Sequence, residues 1–201
     1  MTFLIAGLGN IGQEYLNSRH NIGFLIADAW VQRHRSAFEN DTLALHARLM
    51  VRDRQVHVIK PTTYMNRSGR AVRYWQQQLQ VPLNQLLVVV DDLALPFGTL
   101  RLRSKGSDGQ HNGLTSVQQE LQTTAYPRLR VGIGSDFPKG QQVNYVLGNW
   151  SPEQQIQLPH LLTTCCDVLD SFVWWGLEKT MNRFNRRPKP PASENAQSPS
   201  S

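Results

Sequence analysis

The chain has 201 residues, which is enough for one hydrophobic core and too few for two domains of ordinary size. Its apolar runs are shorter than a membrane-spanning helix requires, and no signal peptide is expected at its start. The net charge of +6 favours an anionic partner, of which nucleic acid is the first candidate. The adjacent Cys165 and Cys166 fit neither a disulfide framework nor a metal site, so we expect buried thiols and a cytoplasmic protein.

The first predicted element is a short apolar strand at residues 3–6, which leads into a glycine-rich and strongly polar loop. This loop carries Asn10, Tyr15 and His20. A buried strand that delivers a histidine and amides to a loop is typical of sites at the carboxyl ends of strands in α/β proteins. Apolar residues at helical spacing then predict a helix over residues 22–35.

Residues 7–12 match the G-x-G-x-x-G fingerprint, which makes an NAD-dependent oxidoreductase one alternative. The fingerprint requires a helix that begins inside the motif and an acidic residue about 20 positions later, at the end of the second strand. Residues 13–20 are polar instead, and the next strand pair ends at Lys60 and Pro61 without an acid. The sequence context therefore disfavours a dinucleotide site.

A hairpin is predicted from alternating residues at 43–51 and a return strand at 56–59, and His46 and His57 fall where we expect a polar outer face. A second polar loop follows at residues 60–69, before a predicted helix. Taken alone, Asn66 in this loop is interpreted as the N-cap of that helix.

The clearest strand covers residues 86–90, which are apolar on both faces and therefore indicate a central place in a largely parallel sheet. It runs directly into Asp91 and Asp92, which puts acids at the end of a central strand. The alternative interpretation of these acids is that they are ordinary turn residues.

A glycine-rich loop at residues 104–113 lies between a predicted strand and a predicted helix. The backbone N–H groups of such loops, together with a helix N-terminus, can bind phosphate. Lys105 would add positive charge there. His111 is interpreted as a loop histidine without a catalytic role.

The carboxyl-terminal part begins with a predicted strand at residues 128–134 and a connector at 136–150. Ser-Pro-Glu-Gln at residues 151–154 is typical of a capped helix start, and we expect that helix to reach Trp175. The whole pattern predicts a single α/β domain over residues 1–187, with a mixed, mostly parallel twisted sheet and helices on both faces. Residues 188–201 are rich in Pro and Ser and are expected to form a disordered tail.

The polar loops that follow the strands are expected to converge on one edge of the sheet. They hold His20, Asn10, Asn66, Asp91 and Asn112. A neutral histidine can accept a proton from water, a carboxylate on its other ring nitrogen orients it, and amides can polarise a carbonyl. Because the sequence has no G-x-S-x-G motif and no suitably placed cysteine, we expect water attack on an acyl ester without a covalent intermediate or a metal.

Several long motifs together resemble those of bacterial-type peptidyl-tRNA hydrolases, over roughly residues 1–187 and in chain order. The matching segments are residues 7–12, Tyr15, 19–23, 60–69, 91–93, 105–107, 109–114, 128–134, 145–148 and 181–182. The resemblance implies an enzyme of translation that hydrolyses the ester between a peptide and the 3′ ribose of its tRNA, in peptidyl-tRNA released prematurely from ribosomes. It also implies a monomer without a cofactor or a membrane partner.

The resemblance assigns His20 as the general base and Asp91 as the carboxylate that keeps it basic, while Asn10 would help to distinguish N-blocked aminoacyl-tRNA from the free amine. Further residues would line the groove for the 3′ end and the peptide, namely Tyr15, Tyr64, Asn66 and Asn112. Lys105 and Arg130 match basic positions that meet tRNA phosphates in the family.

The sequence departs from the family pattern at four positions: Ile11 replaces a usual proline, Ala94 replaces a usual acid, and Asp108 and Gln110 replace small residues. The negative charge of Asp108 predicts weakened tRNA binding. A second alternative is a catalytically silent RNA-binding relative, like the plant-organelle members that act as splicing factors. The retained histidine, acid and amides argue against it.

Overall fold

A computed structural model of the protein describes residues 1–185. The strands are β1 (Thr2–Gly7), β2 (Glu39–Asp41), β3 (Ala44–Val51), β4 (Arg54–Pro61), β5 (Leu86–Asp92), β6 (Leu100–Arg103) and β7 (Arg128–Gly132). The helices are α1 (Ile22–Arg33), α2 (Ser68–Gln78), α3 (Asn112–Leu121), α4 (Gln142–Leu147), α5 (Pro152–Trp175) and α6 (Leu177–Phe184). The proposed tail at residues 188–201 lies outside the described residues.

The strands form one seven-stranded sheet in the order β2-β3-β4-β1-β5-β7-β6. Strand β1 pairs in parallel with β4 and β5, and β5 pairs in parallel with β7. The outer pairs, β2 with β3, β3 with β4, and β6 with β7, are antiparallel. The predicted mixed sheet with a parallel centre is therefore confirmed, and the carboxyl ends of β4, β1, β5 and β7 share one edge.

Helices cover both faces of the sheet, as predicted. Alternate side chains of β1 enter two separate cores, with Phe3 and Ile5 on one face and Leu4 and Ala6 on the other. Helices α1 and α5 close the first core, whereas α2 and α3 close the second. This arrangement buries β1 and β5 except for one end residue of each, which explains why β5 is apolar at consecutive positions.

Helix α1 packs directly against the end of β1. A Cβ atom at Gly23, in its first turn, would collide with the backbone of Leu8 and Val89. Only glycine permits this approach, which brings the loop that precedes α1 over the carboxyl ends of β1 and β5. No helix follows the glycine motif directly, since residues 13–21 form only short 3-10 turns and a connecting segment. The dinucleotide alternative therefore lacks its structural basis.

The predicted start of α5 is confirmed. Ser151 accepts a hydrogen bond from the backbone N–H of Gln154, and the Gln154 side chain accepts one from the backbone N–H of Ser151. Gly176 ends the helix. Both cysteines are buried in this helix as expected, and burial raises the pKa of the Cys166 thiol to about 11.

The prediction that His46 and His57 lie on a polar outer face is wrong. Both are buried, and their ring nitrogens Nε2 and Nδ1 lie 2.8 Å apart. The reason is that α2 covers this part of the hairpin, with the Trp75 ring 4.2 Å from that of His46. The structure adds the edge strand β2, which the sequence did not predict, and the short helix α4 within the predicted connector.

Candidate active site

His20 and Asp91 lie together at the carboxyl edge of the parallel strands. Asp91 is the sixth residue of β5, and His20 belongs to a 3-10 turn between β1 and α1. The Nδ1 atom of His20 lies 2.9 Å from Oδ1 of Asp91. Because an ionised carboxylate can only accept, Nδ1 carries the proton and Nε2 keeps the lone pair of the neutral ring. The His20 side chain is 12% exposed, so part of the ring is accessible from the protein surface.

His111 is the second partner of Asp91, and sequence reasoning missed it. Its Nε2 lies 2.8 Å from the same Oδ1 atom, and its ring centroid is 5.0 Å from that of His20. The other ring nitrogen, Nδ1, accepts hydrogen bonds from the backbone N–H groups of Gly113 and Leu114 and thereby caps α3. These bonds require a lone pair on Nδ1, so His111 is neutral and donates its Nε2–H to Asp91.

Two opposing effects act on the buried Asp91 carboxyl group. Burial alone raises its pKa, but the adjacent His111 and His20 rings outweigh burial and hold the pKa well below its usual range. Asp91 is therefore ionised at neutral pH. A carboxylate in this state can stabilise an imidazolium that forms on His20.

The same three residues place potential metal-ligand atoms within 4.8 Å of one another. A histidine binds a metal through an unprotonated nitrogen. The Nε2 atom of His111 carries a proton because Nδ1 accepts two backbone hydrogen bonds. Metal ligation through Nε2 would therefore require the loss of the α3 cap, and the group is better suited to hydrogen bonding.

Asn10 is held at the same edge by three hydrogen bonds. Its Oδ1 accepts from the backbone N–H of Met65 at 2.8 Å. Its backbone N–H donates to Asn21 Oδ1 at 2.8 Å, and its carbonyl accepts from Asn21 Nδ2 at 2.9 Å. The bond from Met65 fixes the orientation of the amide, with Oδ1 toward the Met65 N–H and the two Nδ2 donors on the other side. Asn21 directly follows His20, and sequence reasoning did not select it.

Three other predicted groove residues belong to the turns that follow β1 and β4. Tyr15 is half-buried in the 3-10 turn Gln13–Tyr15, and Tyr64 is 58% exposed. Asn66 is exposed in the turn Met65–Arg67. The cap interpretation of Asn66 is wrong, because Arg67 occupies the N-cap position of α2.

Asn112, the remaining predicted groove residue, is exposed at the first position of α3. The two predicted phosphate-binding residues differ in their surroundings. Lys105 is exposed, whereas Arg130 forms an ion pair with Asp92 at 3.3 Å and donates to the carbonyl of Ser107 at 2.6 Å.

The unusual Asp108 and Gln110 have defined local roles. Asp108 accepts from the hydroxyl of Thr115 at 3.1 Å and from the backbone N–H of Gln110 at 2.9 Å. Gln110 adopts a positive φ of 63°. The Asp108 carboxylate is therefore engaged in closing the loop before α3. Ile11 and Ala94 are both exposed.

The fold and the site together define an α/β protein with a carboxylate–histidine pair and amides at the carboxyl ends of parallel strands, as in many hydrolases. The sequence profile of the family described as Peptidyl-tRNA hydrolase matches residues 4–192. The chain belongs to this family.

Individual relatives agree with this membership. The chain is 49% identical to a peptidyl-tRNA hydrolase of Phocaeicola vulgatus and 50% identical to one of Parabacteroides distasonis, in each case over 93% of this chain and 100% of the relative. The crystal structure of peptidyl-tRNA hydrolase from Acinetobacter baumannii superposes with a TM-score of 0.86 at 30% identity, covering 92% of this chain and 94% of that one. Within residues 1–185, no helix has the length and apolar character needed to cross a membrane.

Proposed function

We propose that this protein hydrolyses the ester bond of peptidyl-tRNA, with His20 as the general base that activates water. The observation that carries the proposal is the 2.9 Å contact between His20 Nδ1 and Asp91 Oδ1, which leaves Nε2 as the basic nitrogen. In the proposed step, Nε2 removes a proton from water while the oxygen of that water attacks the ester carbonyl. The ionised Asp91 stabilises the resulting imidazolium, which then protonates the departing ribose oxygen.

His111 supports this step by a second hydrogen bond to the Asp91 oxygen. The bond holds the carboxylate in place and leaves its charge available to His20, because His111 is itself neutral. General-base catalysis of this kind contributes roughly 10²–10⁴-fold to a rate. His111 is therefore proposed as a positioning residue for Asp91.

The orientation of Asn10 suggests how an N-blocked substrate is preferred. Because the hydrogen bond from Met65 N–H turns the amide oxygen toward Met65, Asn10 offers N–H donors to the substrate. The carbonyl of an N-acyl group can accept such a hydrogen bond, whereas a free α-ammonium has only donors to offer. A buried donor that meets another donor loses its hydrogen bond, which disfavours the unblocked substrate.

Tyr15, Tyr64, Asn66 and Asn112 are proposed to line the groove for the 3′ end and the peptide. Lys105 and Arg130 are proposed to contact tRNA phosphates, which carry affinity without sequence preference. All of these side chains belong to one chain, so we propose that a monomer is sufficient. A substrate released from ribosomes implies action in the cytoplasm.

The decisive experiment compares the wild type and His20→Ala on N-acetyl-aminoacyl-tRNA and on unblocked aminoacyl-tRNA. We expect the wild type to hydrolyse only the blocked substrate, and His20→Ala to lose several orders of magnitude in rate while it still binds tRNA. Binding without hydrolysis by the wild type would instead favour the silent RNA-binding alternative. Similar rates for the two proteins would exclude His20 as the base.

A further inference from the structure

Arg19, the residue before His20, connects the histidine turn to the segment between β7 and α5. Its side chain is buried although it is charged. The guanidinium donates through Nη1 to the carbonyl of Tyr145 at 3.1 Å and through Nε to Gln154 Oε1 at 3.2 Å. Its central carbon also lies 4.2 Å from the centroid of the Tyr145 ring, a cation–π contact.

The partners of Arg19 are themselves fixed to the sheet and to α5. The Tyr145 hydroxyl donates to the carbonyl of Ile133, the residue after β7, at 2.7 Å. Gln154 belongs to the capping box of α5 through Ser151. Arg19 therefore joins the turn that carries His20 to two elements that are themselves held in place.

The backbone reinforces the same connection. The N–H of Arg19 donates to the carbonyl of Gly148 at 3.1 Å, and Ser18 forms an isolated β-bridge with Asn149. The 3-10 turn Arg19–Asn21 thus has a separate attachment at each residue. Arg19 contacts the segment at 145–154, His20 contacts Asp91, and Asn21 contacts Asn10.

We propose that Arg19 is a positioning residue for the hydrolysis proposed above. Arg19 precedes His20 and Asn21 follows it, and together they fix the orientation of His20. The inference rests on the proposed role of His20 as the base. A turn of three residues has little internal structure of its own, so the direction of the His20 ring depends on how both neighbours are held. A misplacement of about 1 Å at a reacting group can lower a rate by about 10²-fold.

This role requires the geometry of the guanidinium group, which a positive charge alone does not supply. Arginine donates from Nε and Nη1 in a planar fork and stacks on an aromatic ring, whereas lysine is a point charge on a flexible stem. Arg19→Lys would keep the positive charge and lose the fork. The two substitutions Arg19→Met and Arg19→Lys therefore separate the effect of the contacts from that of the charge.

Arg33 supplies a matched control. It also binds α5, through Asp167 at 2.7 Å and Asp170 at 3.0 Å, and it lies at the opposite end of α1 from the histidine turn. A helix of 12 residues spans about 18 Å, so this contact is remote from His20. Arg33→Met removes an arginine contact to the same helix without touching the site.

The test measures kcat and KM on N-acetyl-aminoacyl-tRNA and records the histidine side-chain signals by NMR with ¹⁵N-labelled histidine. For Arg19→Met and Arg19→Lys we expect kcat to fall about 10- to 100-fold with KM nearly unchanged. The His20 signals should shift while those of His111 stay in place. Arg33→Met should resemble the wild type in all of these measurements.

Unchanged kcat and unchanged His20 signals in Arg19→Met would overturn the inference, and so would a rise in KM at constant kcat, which would indicate substrate binding. If Arg19→Met fails to fold, Arg19→Lys retains the charge and the alkyl stem, and it still tests the loss of the planar guanidinium contacts. An inactive wild type would reject the proposed function, whereas the His20 signals would still show whether Arg19 orients the ring.

Discussion

His111 donates its Nε2–H to Oδ1 of Asp91 over 2.8 Å, and this is the oxygen that also faces His20. One buried carboxylate thus accepts hydrogen bonds from two histidines that have different roles. His111 is restricted to a single neutral tautomer by the backbone of α3, while His20 retains a lone pair on Nε2. A negative charge that is shared in this way can orient the base without being neutralised by a second cation.

The substitution Asp91→Asn should lower kcat by roughly 10²–10⁴-fold and leave KM nearly unchanged. The neutral amide cannot stabilise an imidazolium on His20, and its N–H₂ group can favour the wrong tautomer of the ring. The measurement is single-turnover hydrolysis of N-acetyl-aminoacyl-tRNA. Asp92→Asn, which alters the neighbouring acid, is the comparison variant. An equal loss in both variants would show that Asp91 has no special role.

His111→Asn should lower kcat by about tenfold, because a lost hydrogen bond to a charged group is worth about 1.5 kcal/mol or more. Asparagine is a good N-cap, so it can still accept from the first turn of α3, but it is too short to reach Asp91 as His111 does. The variant therefore separates the two functions of this residue. Unfolding temperature and kcat should be measured together, and a loss of stability without a loss of kcat would assign His111 to capping alone.

The pairing of His20 with Asp91 followed from an argument about strand ends, since acids and histidines that end parallel strands share an edge whatever their separation in sequence. The same argument places the loop before α3 at this edge through Asn112, but His111 in that loop was interpreted as a residue without a catalytic role. His111 is the N-cap of a helix that follows the antiparallel strand β6, and its glycine-rich setting made it resemble an ordinary loop residue. Its position immediately before a helical segment was the available signal, because a ring nitrogen can act as a cap acceptor.

The burial of His46 and His57 could not be predicted from the alternation of polar and apolar residues in the hairpin. The period of a strand states which side chains share a face, but not how much of that face another element covers. His46 lies beneath α2, whereas Arg48, two positions later on the same face, is exposed. Similarly, the contacts of Arg19 and Asn21 join segments far apart in sequence, and motif spacing carries no information about such contacts.

Asn10→Asp should weaken the preference for blocked substrates. One carboxylate oxygen can still accept from Met65 N–H, but the other would present an acceptor and a negative charge where Asn10 presents donors. A free α-ammonium would then be attracted, and the N-acyl carbonyl would lose a donor. We expect the ratio of kcat/KM for blocked over unblocked aminoacyl-tRNA to fall by at least about tenfold. An unchanged ratio would remove Asn10 from substrate discrimination.

Acid should destabilise the protein through His57. The amide Nε2–H of Gln55 donates to His57 Nε2 at 3.1 Å, so His57 donates its Nδ1–H to His46 and is neutral. Burial, with smaller contributions from His46 and Arg48, lowers the pKa of His57 to about 4.

In the unfolded chain His57 takes up a proton near pH 6.5, whereas in the folded chain it does so only near pH 4. The contribution of neutral His57 to the free energy of unfolding is therefore fully present above pH 6.5 and is lost as the pH falls from 6.5 toward 4. The loss at pH 5 should be about 2 kcal/mol. Urea unfolding at pH 7.5 and pH 5 should show a smaller difference for His57→Asn than for the wild type. Substitution of the exposed His160 by Asn should leave the difference unchanged.

Alanine substitutions of Lys105 and of Arg130 should have different effects on tRNA binding and on the unfolding temperature. Lys105 is exposed, so Lys105→Ala should weaken tRNA binding and reduce the slope of log K against log salt by about 0.7–0.9, the amount expected for one phosphate contact. The unfolding temperature of Lys105→Ala should equal that of the wild type. Arg130→Ala should lower the unfolding temperature as well, because Arg130 pairs with Asp92 and braces the Ser107 carbonyl. Binding titrations at several salt concentrations, together with thermal unfolding, test both expectations. A salt slope that neither variant alters would mean that the phosphates are contacted elsewhere.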